Sequence, residues 1–229
     1  GLGSSSAFAV GLVKALCALE KKTMSKKKIA QIASKIEVDL ISRKIGRQDH
    51  YATCYGGLNH ISFLKNETVK VRKVILSKKN KKKLENSLVL VYTNMKRNAE
   101  KILSKQYKPN KNQSKYLINM KKDVDKFKKV LNKEKMNIKE IGRFLTRQWD
   151  LKKNINNITN RKINKMYDKL ISLGAYGGKL LGAGQGGFLL LLSDKGVQRK
   201  IRNNFKLKNC IKVKFDNYGS QLVYRSDNF

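Results

Sequence analysis

The amino-acid sequence predicts an α+β protein. Its 229 residues are 40% hydrophobic, which is enough for a sizeable core. Apolar residues recur at helical spacing in many segments, whereas short apolar runs at 88–92 and 188–192 are typical of β-strands. Because the two patterns mix without a regular βαβ alternation, we expect an α+β fold rather than a parallel α/β sheet.

The first part of the chain, to about residue 76, is predicted to begin with a helix over 4–22. Four apolar residues mark this helix by their spacing: Phe8, Leu12, Leu16 and Leu19. Ser4 or Ser5 is expected as its N-cap. The elements predicted after it are, in order, helices over 26–43 and 49–55 and strands over 59–64 and 69–76.

The basic stretch 77–83 is predicted to form a turn that joins two domains, residues 1–80 and 81–229. Periodicity and glycine content predict the rest of the second domain. Its elements are expected to be a strand over 88–92, helices over 95–106, 113–133, 137–153 and 159–173, a glycine-rich segment over 174–187, a strand over 188–192, a helix over 194–205 and strands near 210–216 and 220–225.

The formal net charge of +36 would suit nucleic acid or an anionic membrane. Lysine is nevertheless spread over nearly every segment, together with many Asn and Ile residues. The densest runs, 26–28 and 78–83, contain no aromatic residue that could stack on a base. A solvated basic surface is therefore favoured, and a basic nucleic-acid-binding protein without turnover stays open as the alternative from another class.

Other compositional features narrow the class of protein. No apolar run approaches bilayer length and no signal-peptide pattern is present, so we expect a cytoplasmic protein with no membrane partner. Cys17, Cys54 and Cys210 are widely separated and are expected to be buried thiols rather than disulfides or zinc ligands. The two histidines, His50 and His60, are too few to build a metal cluster.

The opening residues, Gly1-Leu2-Gly3-Ser4-Ser5-Ser6-Ala7, have the composition of a phosphate-binding loop. Glycines allow the backbone to approach an anion, and hydroxyls and helix N–H groups can surround its oxygens at the positive end of the helix dipole. A cloning linker has a similar composition. The apolar helix that follows favours the phosphate loop, since a linker needs no such helix.

Glu37 is predicted to lie on an otherwise apolar face of the second helix, together with Ala30, Ala33 and Leu40. A buried acid needs a partner. Two partners are possible: a lysine in a structural ion pair, or Mg²⁺ held beside the serine hydroxyls of the loop.

Asp49 ends the loop that begins at Gly46 and stands at the start of a short predicted helix. Its simplest role is that of an N-cap. The alternative is a general base, because phosphorylation of an alcohol requires a group that orients the hydroxyl and accepts its proton.

Residues 177–188 contain six glycines in twelve positions, so the backbone must come close to a ligand or to another chain segment. Neither this segment nor the opening matches GxxxxGK[ST], which leaves a P-loop NTPase unsupported. A GxGxxG match exists at 182–187, but it precedes a strand instead of following one. This context excludes a dinucleotide-binding fingerprint.

These segments together resemble the GHMP kinases. The opening loop is similar to the family's ATP-phosphate loop, and Leu181 to Phe188 is similar to its C-terminal glycine motif. Within the family, the likeness to D-glycero-D-manno-heptose 7-phosphate kinases is the strongest and extends over essentially the whole chain. It rests on four further segments: 46–49, 55–59, 149–153 and 174–181.

The resemblance implies ATP and Mg²⁺ as cofactors and a sugar phosphate as substrate. It assigns roles to these residues: Gly1, Leu2, Gly3, Ser4, Ser5, Ser6, Gly182, Gly184, Gly186 and Gly187 to ATP, Ser5 and Glu37 to Mg²⁺, and Asp49 to catalysis as the base. The implied reaction transfers the γ-phosphate to the anomeric hydroxyl of a heptose 7-phosphate, with another sugar such as fucose or galactose as the alternative acceptor.

The fold that the resemblance implies is a partial ribosomal-S5-like N-terminal domain followed by a ferredoxin-like C-terminal domain with extra helices. Two residues depart from the family pattern: Gln185 stands where a glycine is usual, and His50 where a glutamine is usual. Family members also carry a further N-terminal part, with the first of three motifs, before the phosphate loop. We therefore expect this chain to be a truncated kinase with little or no activity alone.

Overall fold

The computed structural model describes residues 2–96, 102, 111–155 and 158–224. The chain forms two compact units. The first, called here the helical unit, consists of residues 3–75 and the chain from Phe215 onward. The second, the sheet unit, consists of Leu2 and residues 76–214. The assignment of 1–80 and 81–229 to two family domains stays a prediction.

The helical unit contains three α-helices, a π-helical turn and a two-stranded antiparallel hairpin among its described residues. The elements are α1 (Ser4–Leu19), α2 (Lys26–Lys35), the π-turn (Ile36–Leu40), α3 (Gln48–Tyr55), β1 (Asn59–Phe63) and β2 (Val69–Lys73). Their buried core consists of Ala9, Val10, Val13, Ile29, Ala30, Ala33, Tyr51, Cys54 and Val69. Alanine and valine make up most of it, and Ile29 and Tyr51 are its larger members.

Helix α1 confirms the predicted helix but buries a different face. The stripe at Phe8, Leu12, Leu16 and Leu19 is exposed, and Phe8 retains 73% of its surface. The buried face is formed by smaller residues: Ser6, Ala9, Val10 and Val13. Apolar spacing predicts that a helix has an apolar face, but it does not tell which neighbour covers that face. The expected serine N-cap is also wrong, because Gly3 is the N-cap.

The second predicted helix is interrupted after Lys35. The backbone N–H of Ile41 donates to the carbonyl of Ile36 at 2.9 Å, five residues back, which defines the π-turn. The chain from Ser42 to Arg47 is then irregular until α3 begins. The π-turn changes the direction in which its side chains point, relative to a continuous α-helix. Glu37 is one of these residues.

The segment after Phe215 packs against the end of α3. The N–H of Ser220 donates to the carbonyl of Thr53 at 2.9 Å. A Cβ atom on Gly56 would lie 2.2 Å from the backbone nitrogen of Gly219, so the two backbones are in direct contact. The predicted strand over 220–225 is wrong for residues 220–224, which form no strand. This segment bonds to the end of a helix rather than to a sheet edge, which explains the difference.

The sheet unit is built on a four-stranded antiparallel sheet with the strand order β4-β5-β3-β6. Its elements are α4 (Lys78–Ser87), β3 (Leu88–Tyr92), α5 (Lys111–Leu131), α6 (Ile138–Lys153), α7 (Arg161–Ser172), β4 (Gly177–Leu180), β5 (Phe188–Leu192), α8 (Lys195–Asn204), a 3₁₀ turn (Leu207–Asn209) and β6 (Cys210–Lys212). Alternate residues of β3 and β5 join α7 and α8 in the main core, which includes Val89, Val91, Leu189, Leu191, Ile163, Leu170 and Ile201.

Several predictions for this unit need correction. The basic stretch 77–83 forms the start of helix α4, because Ser77 caps it by accepting from the N–H of Asn80 at 3.2 Å. Strand β4 lies inside the glycine-rich segment, where no strand was expected. The helix predicted over 95–106 falls mostly outside the described residues.

The expectations about membrane helices, metal clusters and cysteines can be compared with the residues that the structure describes. None of the described helices has the length and apolar character that crossing a membrane requires. No cluster of three His, Cys, Asp or Glu residues suited to a metal ion occurs within the described ranges. The three cysteines are free: Cys54 is buried as expected, whereas Cys17 and Cys210 are half-buried.

Candidate phosphate-binding turn and catalytic carboxylate

The start of α1 presents free backbone N–H groups. Gly3 has φ of +72° and leads directly into the helix, and the N–H of Ala7 donates to its carbonyl at 2.9 Å. The N–H groups of Ser4, Ser5 and Ser6 precede the first intrahelical bond and have no acceptor within the helix. They lie at the positive end of the helix dipole, where anions are stabilised. The turn therefore has the geometry of an anion site.

The side chains of this turn differ in exposure. Ser4 and Ser5 are exposed, whereas Ser6 is 3% exposed and packs into the core of the unit. Two hydroxyls are thus available to a ligand together with the backbone. Leu2 is exposed, and Gly1 lies outside the described residues.

Asp49 lies beside this turn. A Cβ atom on Gly3 would come within 3.2 Å of Asp49 Oδ2 and 3.3 Å of its Cγ, so the carboxyl group packs on the glycine backbone. The N-cap interpretation is wrong, because Arg47 is the N-cap of α3 and Asp49 stands in its first turn. Among the described residues, its carboxylate has no hydrogen bond or ion pair. It is available to a ligand.

Glu37 is 5% exposed and has two partners. Arg43 Nη1 lies 2.5 Å from Oε1, and His50 Nε2 lies 2.8 Å from Oε2. The predicted ion pair is therefore present with an arginine instead of a lysine, and a histidine adds a hydrogen bond. His50 is fully buried, and its Nδ1 faces the carbonyl of Arg47 at 3.3 Å. This network connects the π-turn to the helix that carries Asp49.

A second ion pair holds the same loop, since Arg47 Nη2 donates to Asp39 Oδ1 at 2.8 Å. The N–H of Arg43 also donates to the Glu37 carbonyl at 3.0 Å. The π-turn supplies both acids, and π-turns are frequent at functional sites. These contacts restrain the loop that precedes Asp49.

The two predicted magnesium ligands differ in how well they fit the ion. Ser5 has an exposed hydroxyl at the anion site, which is a donor that Mg²⁺ accepts. Glu37 is occupied on both oxygens by Arg43 and His50. It would fit Mg²⁺ only after one of these partners is displaced. Its assignment as a metal ligand stays a prediction.

The glycine motif of the sheet unit forms the turn between β4 and β5. A Cβ on Gly184 would meet the carbonyl oxygen of Ile158 at 2.6 Å, and one on Gly186 would meet that of Met95 at 2.5 Å. These glycines are therefore required by contact with other chain segments of the unit. Gly182 and Gly187 also have positive φ, at +67° and +90°. A role toward ATP stays a prediction for all four.

Gln185 adopts the left-handed conformation, with φ of +59°, that a glycine would adopt more easily. Its backbone N–H donates to the Ile158 carbonyl at 2.7 Å. Its side chain accepts from Asn160 Nδ2 at 3.2 Å and donates to the Thr159 carbonyl at 3.3 Å. The glutamine thus fastens the turn to the segment before α7, which explains how this departure from the family pattern is tolerated.

Lys179 was not singled out by its sequence pattern. It stands in β4, opposite Leu190 of β5, immediately before the glycine turn. Burial lowers the pKa of its ammonium group. No hydrogen-bond or ion-pair partner is present for it in the described parts of the chain. A lysine between two glycines and two leucines is the one sequence signal that could have identified it.

Comparison with known families agrees with this geometry. The family model described as GHMP kinases N terminal domain matches residues 1–57, and the one described as GHMP kinases C terminal matches residues 127–211. The first range contains the turn, Glu37 and Asp49, and the second contains the glycine motif. The chain belongs to the GHMP kinase family.

Two curated proteins illustrate the relationship. The chain is 33% identical over 199 residues to D-glycero-alpha-D-manno-heptose 7-phosphate kinase of Campylobacter jejuni, a match that covers 85% of this chain and 58% of the relative. It is 26% identical over 231 residues to galactokinase of Pyrococcus furiosus, a match that covers 88% of this chain and 63% of the galactokinase. The chain thus spans about three fifths of the length of these relatives.

Solved structures confirm the α+β prediction and the GHMP kinase fold. The D-glycero-D-manno-heptose 1-phosphate kinase of Bacteroides thetaiotaomicron superposes with a TM-score of 0.65 at 24% identity, over 96% of this chain and 62% of that one. Mevalonate kinase of L. major gives a TM-score of 0.68 at 19% identity, over 90% and 62%.

Proposed function

We propose that this chain is the larger part of a sugar kinase that transfers the γ-phosphate of ATP to a sugar hydroxyl. The observation that carries the proposal is the contact between Gly3 and Asp49. It sets a proton acceptor beside free helix N–H groups that attract phosphate. An alcohol phosphorylation needs these two groups side by side.

Each group has a distinct role in the proposed reaction. The N–H groups of Ser4, Ser5 and Ser6 hold phosphate oxygens, and their fixed dipoles offset negative charge without reorganisation. Asp49 accepts the proton of the acceptor hydroxyl as its oxygen forms the bond to phosphorus. Mg²⁺, held by Ser5 with the nucleotide phosphates, would supply charge neutralisation. Glu37 holds the loop before Asp49 in place through Arg43 and His50.

The acceptor that we propose is a heptose 7-phosphate, phosphorylated at its anomeric hydroxyl. The relative from Campylobacter jejuni is named for this substrate, and two other relatives are named for galactose and fucose. Those sugars are the alternatives. The proposed reaction is cytoplasmic. Because the chain spans only part of each relative, we expect activity to require the part of such a kinase that this chain does not match.

The proposal is tested with Asp49→Asn in the chain fused behind the N-terminal region of the Campylobacter jejuni relative. Transfer of γ-phosphate from Mg-ATP to heptose 7-phosphate, galactose and fucose is measured. Loss of a general base typically reduces the rate by about 10²–10⁴-fold. Asp125→Asn, on the exposed side of α5, is the matched control and leaves the rate unchanged. Full activity of the Asp49 variant would remove the proposed base.

A further inference from the structure

A cavity of about 470 Å³ lies in the sheet unit, and none of its lining residues has a role assigned above. It opens between the end of α4, helix α8 and the chain that follows β6. This volume is within the range of small-molecule sites, about 300–1,000 Å³. Ten of the described residues line it, and five of these are cationic: Lys195, Arg199, Arg202, Lys212 and Lys214.

The fold explains how these cations converge. Lys195, Arg199 and Arg202 are spaced i, i+4 and i+7, which places them on one face of α8. Val197 and Ile201 pack against the core on another face of that helix.

Strand β6 supplies the other wall. Lys212 pairs in register with Val89 of β3, and Lys214 follows two residues later. Gln198, 6% exposed, ties α8 to α4 by donating from Nε2 to the Asn86 carbonyl at 2.8 Å. The walls are therefore held by core packing and by a buried amide.

The charges in this cavity are unbalanced. Glu85 is its one acidic lining residue. Among the residues described, none of the five cations forms an ion pair or a hydrogen bond with a carboxylate. Like charges at i, i+3 and i+4 on a helix destabilise it. The whole chain has 52 Lys and Arg residues in 229, whereas half of the cavity lining is basic, so cations are denser here than in the chain as a whole.

We propose that this cavity binds a compact anion with several phosphate groups. Two arginines can each present a planar fork to phosphate oxygens, and the lysines add point charges around them. No aromatic residue is among the lining residues that the structure describes, so the aromatic platform on which single-stranded nucleic acid usually stacks is lacking there. This favours recognition of the phosphate groups themselves over single-stranded nucleic acid. The site is independent of the kinase assignment.

The test measures binding of tripolyphosphate to the full chain by calorimetry at 0.15 M salt. The double variant Arg199→Gln with Arg202→Gln is expected to weaken binding by about tenfold or more, since hydrogen bonds to charged groups are the strong ones. Lys212→Gln with Lys214→Gln, on the other wall, is expected to weaken it as well. Thermal melts establish that each variant is folded.

The control is Lys121→Gln with Lys122→Gln, two exposed residues of α5 that remove the same charge elsewhere. It is expected to leave the affinity within about twofold, because exposed charges beyond a Debye length are screened. An equal loss of affinity for tripolyphosphate in all three double variants would overturn the proposal. It would show that the positive charge of the whole chain, and not the cavity, attracts the ligand. Unchanged binding in both cavity variants would overturn it too. If the cavity variants weakened the binding of an oligonucleotide but not that of tripolyphosphate, the proposed class of ligand would be wrong.

Discussion

The contact between Gly3 and Asp49 can be tested by adding a single methyl group. Gly3→Ala places a Cβ in a residue whose φ is +72°, a conformation that costs a non-glycine residue about 1–2 kcal/mol. The same atom lies 3.2 Å from Oδ2 and 3.4 Å from Cβ of Asp49, so the carboxyl group must also move. We expect Gly3→Ala to lower the free energy of unfolding by about 1–2 kcal/mol.

Gly11 in the middle of α1 provides a matched control. A Cβ added there meets nothing within 4 Å, and its backbone is helical. Gly11→Ala should therefore raise the free energy of unfolding by about 0.5–1 kcal/mol. Urea unfolding curves followed by circular dichroism measure both variants. If Gly3→Ala were as stable as Gly11→Ala, the left-handed turn and its contact with Asp49 would be refuted.

Three further changes test separate features of the chain. Glu37→Gln should lower the free energy of unfolding by about 1–3 kcal/mol in urea curves, because it replaces the buried carboxylate that bonds Arg43 and His50 by a neutral amide; an unchanged midpoint would contradict the network. The N–H of Val197 holds the pKa of Asp194 below its ordinary value. The cap therefore stabilises the fold above the ordinary carboxyl pKa and loses this contribution as pH falls through the lowered value. Asp194→Ala should destabilise by about 1 kcal/mol at neutral pH, with a difference that shrinks in acid melts; a pH-independent difference would count against it. Burial lowers the pKa of Lys179, so charging it opposes folding below that lowered value. Lys179→Met should raise Tm at neutral pH, and the gain should narrow toward the ordinary lysine pKa; a lower Tm would show that the ammonium is satisfied.

Sequence periodicity predicted the elements whose cause is local. The apolar runs at 88–92 and 188–192 form β3 and β5, and the apolar spacing after residue 137 forms α6. Each of these elements has its apolar pattern within a few residues of sequence, and α6 also has its N-cap, Asn137, directly before it. The elements that were missed depend on distant groups. Strand β4 consists partly of glycines, and it is a strand because β5 pairs with it.

In the candidate site, too, the features with a local cause were predictable and those that depend on distant residues were not. Glycine and serine at the start of a helix indicated an anion site, and the structure has the expected free N–H groups there. The partners of Glu37 could not be predicted, because the π-turn changes which residues face it. Helix periodicity assumes 3.6 residues per turn, and one π-turn breaks that assumption. In the sequence His50 is only a departure from the family pattern, and the structure shows that it is a partner of Glu37.

The central claim is that a nucleotide's phosphate groups bind the first turn of α1. It is tested most directly by amide NMR of the chain during titration with Mg-ATP, with adenosine as the control ligand. The account predicts that the N–H signals of Ser4, Ser5 and Ser6 shift most with Mg-ATP and stay unchanged with adenosine. Shifts confined to other parts of the chain, with these three signals unaffected, would contradict it.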